Sequence, residues 1–413
     1  MNYFTCLPLS FIAAVYTIKT ISDLLNIKNI SNIIPHEFEN FFDKKKYTKA
    51  QSYLKYNTKF AIFSYTFSMI LQITFILAGG FSYVDSLASS FGTGTVLTGL
   101  IFAGILYLIY EIVNLPFSAY STFVIEEKFG FNKMNGKIFV TDFIKSFIIK
   151  GIIYSVMFSV VVWLFSSVEH YAWLYAFAAI TAFELFVTFI YPIAIIPLFN
   201  KYTPLEDGEL KKSVEEYAKK ENFKMKGLFK MDNSKRSTKS NAFFAGFGKS
   251  IRIVLFDTLI QKHTVEELTS VLAHEMGHFK LGHIVKQIFF SFVSTAIMLF
   301  VLSVFIKKLW IYKAFLMDTQ PIYAGVIFFT FLYAPMSFVL TTISNYLSRK
   351  YEHEADIYSV TTYKHHQDMI NALKKLSVDN LSNLTPHKLK VFLEYSHPPV
   401  LDRVNTIKNI SEK

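Results

Sequence analysis

The sequence predicts an all-α polytopic membrane protein that carries a small α+β metal-binding section. Three observations predict it. The 413 residues are 52% hydrophobic and 17% aromatic but only 18% charged, with a mean hydropathy of +0.33, too apolar for an ordinary soluble enzyme. The apolar residues gather in seven stretches of spanning length. Between the fifth and the sixth lies a long polar section, Asn200 to His283, that holds His274-Glu275-Met276-Gly277-His278.

The first stretch runs from about Phe4 to Leu25, interrupted by Lys19 and Asp23. Met1-Asn2-Tyr3-Phe4 lacks the basic start of a signal peptide, so a retained span is expected. A lysine-rich linker, Asn26 to Lys59, leads to the second, about Phe60 to Ala78, and the connection Gly79 to Thr95 has no Lys or Arg. The third, about Val96 to Val113, is followed by another lysine-bearing loop. The fourth, about Phe147 to Phe165, turns tightly into the fifth, about Trp173 to Leu198, which ends in Pro192 and Pro197. The last two are about Ile288 to Ile306 and Ile322 to Leu340. Basic and lysine-free connections alternate, which places the N-terminus outside and the polar section in the cytosol; Lys307, Lys308 and Lys313 are the exception. The net charge of +11, from 42 basic and 31 acidic residues, then belongs to cytosol-facing loops and does not argue for nucleic acid.

Glu111, Glu184 and Lys286 fall inside spans, so they should face a helix partner or a water-filled interior rather than lipid. The single cysteine, Cys6, excludes an internal disulfide framework and a Cys-based zinc site. No internal repeat is visible, which argues against an inverted-repeat transporter. The expected division is residues 1–199 with five spans, 200–287 as the metal-binding section, 288–345 with two more spans, and 346–413 as a polar section that completes the site.

His274 and His278, four apart on a helix, stand on one face and can reach one ion, while Glu275 can reach a water on that ion. Thr264-Val265-Glu266-Glu267 reads as the capping box that starts this helix. A hydrolytic zinc site needs a third protein ligand. His283 does not fit: on a continuing helix it points away from the His274/His278 face and reads as a boundary histidine. Glu352 does, with Asp356 four residues on to accept a ligand histidine's N–H, and Glu354 on a different face. From spacing alone a charged, solvated helix is the alternative reading. Ser250 to Phe256 alternates poorly and reads as a largely buried strand, next to a segment at Asn241 whose edge could pair with an extended substrate.

Several further segments carry a resemblance. They are Leu115-Pro116-Phe117-Ser118, the run Thr122 to Lys133, Pro197 to Tyr202, Asn241 to Gly248 and Ser396-His397-Pro398-Pro399. With the HExxH helix and the Glu352–Asp356 segment, they make the chain resemble, almost end to end, the integral-membrane zinc metalloproteases that include the type 1 CAAX prenyl endopeptidase. The resemblance implies seven tilted helices around a water-filled chamber, closed at the cytosolic end by a gluzincin-like zinc domain. It implies one Zn2+ per chain on His274, His278 and Glu352, with Glu275 as general base and Asp356 behind a ligand. It also implies His397 as a donor to the oxyanion, and Asn241 and Ala242 as substrate-aligning positions.

The implied partners are a peptide or protein substrate and the lipid bilayer; oligomeric state is not legible. The lysine-, isoleucine- and phenylalanine-rich composition suggests a bacterial source, hence the inner membrane, with the endoplasmic reticulum as the setting in a eukaryote. Bacteria in general lack protein prenylation, so membrane-associated or misfolded polypeptides are expected as substrates before farnesylated CAAX tails, as in related membrane heat-shock proteases. A transporter or scaffold with a structural zinc site is the alternative of another class.

Overall fold

Backbone in hydrocarbon must satisfy every N–H and C=O within its own segment, and each apolar stretch accordingly forms a helix. The computed structural model describes residues 3–245 and 252–412. Among them seven helices are long and apolar enough to cross a membrane. The first five are α1 (Cys6–Lys28), α2 (Lys44–Leu77), α4 (Thr95–Tyr120), α5 (Gly136–Ser167) and α6 (Ala172–Ile190), with the short α3 (Gly80–Ser89) between α2 and α4. Several outrun their apolar windows because polar turns are capped beyond them. Asp43 accepts from the Lys46 amide at 2.7 Å to start α2, and Asn135 accepts from the Ile138 amide at 2.9 Å to start α5. The connection after the second span is itself partly helical: α3 buries Phe81, Val84 and Ala88 among Phe102, Phe315 and Phe328. Past Pro116, α4 continues as a π-helical turn, Ser121–Glu126, and α6 does the same at Tyr191–Ile195, where Pro192 sits.

A four-stranded sheet follows. Its strands are β1 (Tyr202–Pro204), β2 (Gly227–Met231), β3 (Ala242–Ala245) and β4 (Arg252–Phe256), in the order β1-β2-β4-β3. Only β2 and β4 are parallel, in the register Gly227↔Arg252 to Met231↔Phe256. Ile253, Val254 and Leu255 are wholly buried, which is why β4 shows no polar alternation. Ser250 and Ile251, which the sequence reading put in this strand, and Gly246-Phe247-Gly248 lie outside the described residues. Helices α7 (Glu209–Lys220) and α9 (Val265–Lys280), with the short α8 (Asp257–Ile260) between β4 and α9, complete this section. Val214, Leu228, Ile253, Leu255, Leu272 and Met276 form its core.

The chain then returns to the membrane through α10 (His283–Phe305), the short buried α11 (Leu309–Ala314) and α12 (Ile322–Tyr363). At 42 residues α12 is about 63 Å long, roughly twice the hydrocarbon thickness. The segment around Glu352, beyond the apolar stretch Ile322 to Leu340, belongs to this same helix, which runs unbroken into the metal-binding section. Helices α13 (His366–Asp379), α14 (Lys388–Glu394) and α15 (Val400–Ser411) close the fold.

Glu111, Glu184 and Lys286 each have a partner. Glu111 of α4 pairs with Lys150 of α5 at 2.6 Å, and Glu184 of α6 accepts from Ser291 of α10 at 2.6 Å. Lys286 lies 5.3 Å from the Tyr351 ring centre. Asp23, an oddity in an apolar stretch, is buried where α1 leaves the membrane and pairs with Lys390 of α14 at 2.6 Å. Glu37 in the first linker likewise holds Lys374 at 2.8 Å and Lys408 at 2.5 Å. The two ends of the chain are thereby locked together around α12.

Candidate active site

The site is set by how α9 and α12 meet. Thr264 caps α9 as the sequence indicates, its hydroxyl 3.2 Å from the Glu267 amide and the Glu267 carboxylate 3.2 Å from its own amide. That carboxylate also pairs with Lys375 of α13 at 2.6 Å, which fixes the helix at its start. Leu272 and Met276 face the sheet, leaving the His274/His278 face toward α12. Gly277 makes the approach possible: a Cβ there would stand 3.2 Å from the Ala355 Cα and 3.1 Å from the Tyr358 ring. The Ser359 hydroxyl donates to the Ser270 carbonyl at 2.8 Å and ties the same two helices.

Three donor groups converge as a result. The Nε2 atoms of His274 and His278 are 3.2 Å apart, Glu352 Oε1 is 3.2 Å from His278 Nε2, and Oε2 is 3.5 Å from His274 Nε2. Ligands at about 2.0–2.1 Å from a tetrahedral zinc stand about 3.3 Å from each other, so these spacings are those of a ligand triad. Glu352 Oε2 is buried and lacks a hydrogen bond among the described residues, though the Arg403 guanidinium lies 3.3 Å away. A buried carboxylate oxygen in that state fits a metal ligand. Two neutral imidazoles and a carboxylate are a donor set for a borderline divalent cation.

Behind the triad sits a set of supporting groups. Asp356 Oδ1 lies 2.9 Å from His274 Nδ1, which leaves Nε2 turned toward His278 and Glu352. Arg403 of α15 grips Asp356 with two bonds, Nε to Oδ2 at 2.8 Å and NH2 to Oδ1 at 2.7 Å. The sequence reading missed Arg403, because nothing near it in the chain marks one arginine in α15 as different from another. His283, read in the sequence as a boundary histidine pointing away from the His274/His278 face, stands elsewhere. α9 ends at Leu281 and Gly282 takes the left-handed conformation, φ +68°, so the assumption of a continuing helix fails. The turn brings His283 Nδ1 to 3.0 Å from His278 Nδ1, its ring stacked on Tyr351 at 4.5 Å and its Nε2 2.9 Å from Glu354. With His278 Nε2 kept for an ion, its Nδ1–H would donate to His283, whose Nε2–H would in turn donate to Glu354. His283 thereby stands behind His278.

Glu275 is half-buried next to the triad and makes no hydrogen bond among the described residues. Burial pushes its carboxyl pKa up, against the pull of His274 and His278. Burial lowers the pKa of His274, but the Asp356 hydrogen bond and charge outweigh it and carry the imidazole up to about 9. His397 Nε2 lies 3.3 Å from Glu352 Oε1, on the exposed side of the triad. Asn241 and Ala242 lead into β3, the strand at the sheet edge, which packs against α9. The Asn380 carboxamide holds the preceding residue, Ser240, by accepting from its N–H at 3.1 Å and donating to its C=O at 3.2 Å.

Fold and site together define a membrane-embedded metallopeptidase. Residues 23–201 match the family description "CAAX prenyl protease N-terminal, five membrane helices", and residues 204–411 match "Peptidase family M48". The chain is 37% identical over 379 residues to the "Probable CAAX prenyl protease 1" of Schizosaccharomyces pombe, covering 88% of this chain and 80% of that protein. It is 33% identical to the "CAAX prenyl protease 1" of Saccharomyces cerevisiae and 32% to the human homologue, in each case over 92% of this chain and 89% of the relative. The crystal structure of S. mikatae Ste24p superposes with a TM-score of 0.93 at 31% identity, covering 98% of this chain and 99% of that one. The chain belongs to peptidase family M48 and is a multi-pass membrane metalloendopeptidase of the CAAX prenyl protease 1 group.

Two outcomes follow from this geometry. Replacing His283 by Ala should weaken metal affinity by about ten- to a hundredfold, read by competition with a chromogenic chelator; unchanged affinity would detach His283 from His278. An ion held through His274 would also have to displace the proton that the imidazole carries below about pH 9. Apparent affinity should therefore rise as pH rises from 6.5, up to about tenfold per unit from this proton alone, and this contribution should end above pH 9. Calorimetry in buffers of different ionisation enthalpy counts the released proton, and no release at pH 7.5 would contradict the assignment.

Proposed function

We propose that the chain is a zinc endopeptidase in which His274, His278 and Glu352 hold the ion and Glu275 is the general base. The single observation that carries this reading is the convergence of three protein donors, the number typical of a catalytic rather than a closed structural site, beside an independent carboxylate. Zinc held there supplies Lewis acidity toward the scissile carbonyl and the attacking water. Glu275 takes the water's proton and returns it to the leaving amine, a task suited to a carboxyl whose pKa burial has raised. His397, exposed and next to the triad, is placed to donate to the oxygen that becomes negative. Asp356 fixes the His274 tautomer and Arg403 holds Asp356 in place. The substrate backbone extends along the free edge of β3, aligned at Asn241 and Ala242.

The reaction takes place in an internal chamber. Only 6% to 22% of the apolar window of each span is buried, which leaves each helix an outward, lipid-facing side and an inward one. α4, α5, α6, α10 and α12 each touch the next, and α12 closes back on α4. The metal-binding section faces the cytosol, because the lysine-rich first linker lies against it, with Lys46 3.6 Å from Asp379. The division at residue 200, with 200–287 and 346–413 forming one catalytic unit, is part of the same reading.

The substrates are membrane-associated or misfolded polypeptides, and composition favours a bacterial inner membrane as the setting. The relatives' names favour a second reading, a prenylated CAAX tail. A farnesylated peptide and its unprenylated twin, assayed side by side in detergent, separate the two. Equal kcat/KM supports the first reading, and a strong preference for the farnesylated peptide supports the second. Glu275→Ala should retain zinc and lose hydrolysis by about 10²- to 10⁴-fold. Unchanged turnover in that variant would eliminate Glu275 as the base, and a chain that binds zinc but cleaves neither peptide would favour a structural site.

A further inference from the structure

The lysines of the first linker and of the loop after α4 meet at one point. Lys55 and Lys59 project from the N-terminal half of α2, and both are exposed. Lys128 sits 3.8 Å from the centre of the Tyr56 ring, with Lys55 and Lys59 around the same phenol. The carboxylates nearest in sequence are already engaged. Glu126 binds Lys239 at 2.9 Å and the Tyr53 hydroxyl at 2.5 Å, and Glu127 accepts from Asn132 at 2.9 Å. Among the described residues Lys55, Lys59 and Lys128 therefore have no anionic partner.

Directly below them the surface becomes apolar. A cavity of about 540 Å³ opens between α2 and α4, lined by Tyr56, Lys59, Phe60, Phe63, Phe117 and Tyr120 among others. The two helices meet here mainly through rings: Phe60 stacks on Tyr120 at 4.9 Å, and Phe117 lies 6.1 Å from Phe60 and 6.0 Å from Phe63. Lys59 is the last cation before the apolar stretch that begins at Phe60, so the change from charged to apolar surface falls at the membrane boundary. A ligand for this place needs an apolar chain and an anionic head. A neutral acyl or prenyl chain matches only the lower half.

We propose that an anionic phospholipid occupies this groove, its acyl chain against Phe60, Phe63 and Phe117 and its phosphate among Lys55, Lys59 and Lys128. The volume suits a bound ligand segment, and basic pockets between helices at the cytosolic boundary are suited to anionic headgroups. The lipid would fill the gap between α2 and α4 and hold them at the spacing their rings alone do not fix.

Native mass spectrometry of the full chain, titrated with phosphatidylglycerol or with phosphatidylcholine, tests this. Wild type should retain one phosphatidylglycerol more tightly than phosphatidylcholine. The double variant Lys59→Glu/Lys128→Glu should lose that preference by on the order of tenfold while peptide hydrolysis in detergent persists, which shows that the variant is folded. Phe117→Ala should weaken both lipids. Equal binding of the two lipids by wild type, or an undiminished preference in the double variant, overturns the proposal. So does stoichiometric displacement of the lipid by a farnesylated peptide, which would give the groove to substrate.

Discussion

The meeting of α9 and α12 is the interaction on which the rest of the structure depends. One helix brings two imidazoles and the other brings a carboxylate, from positions more than seventy residues apart. Such a set of polar groups would not stay buried without mutual compensation. Gly277 removes the side chain that would hold the helices apart, and Ala355 presents only backbone at the contact. The outer groups then complete the compensation, Asp356 with Arg403 on one imidazole and His283 with Glu354 on the other. Each of the two histidines thus has its remote nitrogen engaged, which fixes both rings.

The membrane imposes the second constraint. Because a single helix, α12, serves as both span and carrier of Glu352, the position of that carboxylate is tied to the bundle. The contacts at the two chain ends serve the same purpose. Asp23 with Lys390, and Glu37 with Lys374 and Lys408, fasten the N-terminal helices to the section that supplies His397 and Arg403. A hydrolytic site built this way keeps its geometry without a large soluble core of its own, since α9 borrows α12, α13 and the sheet for packing.

Most of this was legible in the chain because the signals were local or periodic. Apolar runs located all seven helices, the capping box located the start of α9, and i,i+4 spacing paired His274 with His278 and Glu352 with Asp356. What escaped depended on tertiary turns. His283 was judged on the assumption that the helix continued, and the left-handed Gly282 redirected it onto His278. Arg403 acts through Asp356, a contact across 47 residues that no local pattern encodes. The helix α3 read as a loop because its polar serines obscured a short apolar face. The unbroken length of α12 was hidden for the opposite reason, since its charged half lacks the hydropathy that marked the other half.

The central claim is that His274, His278 and Glu352 share one cation. X-ray absorption at the zinc edge of the loaded, full-length chain measures it most directly. The account predicts two imidazole nitrogens and carboxylate oxygen at about 2.0–2.1 Å with no sulfur, and a first shell that loses an oxygen donor in Glu352→Ala. A spectrum with four protein nitrogens, or one that Glu352→Ala leaves unaltered, would contradict it.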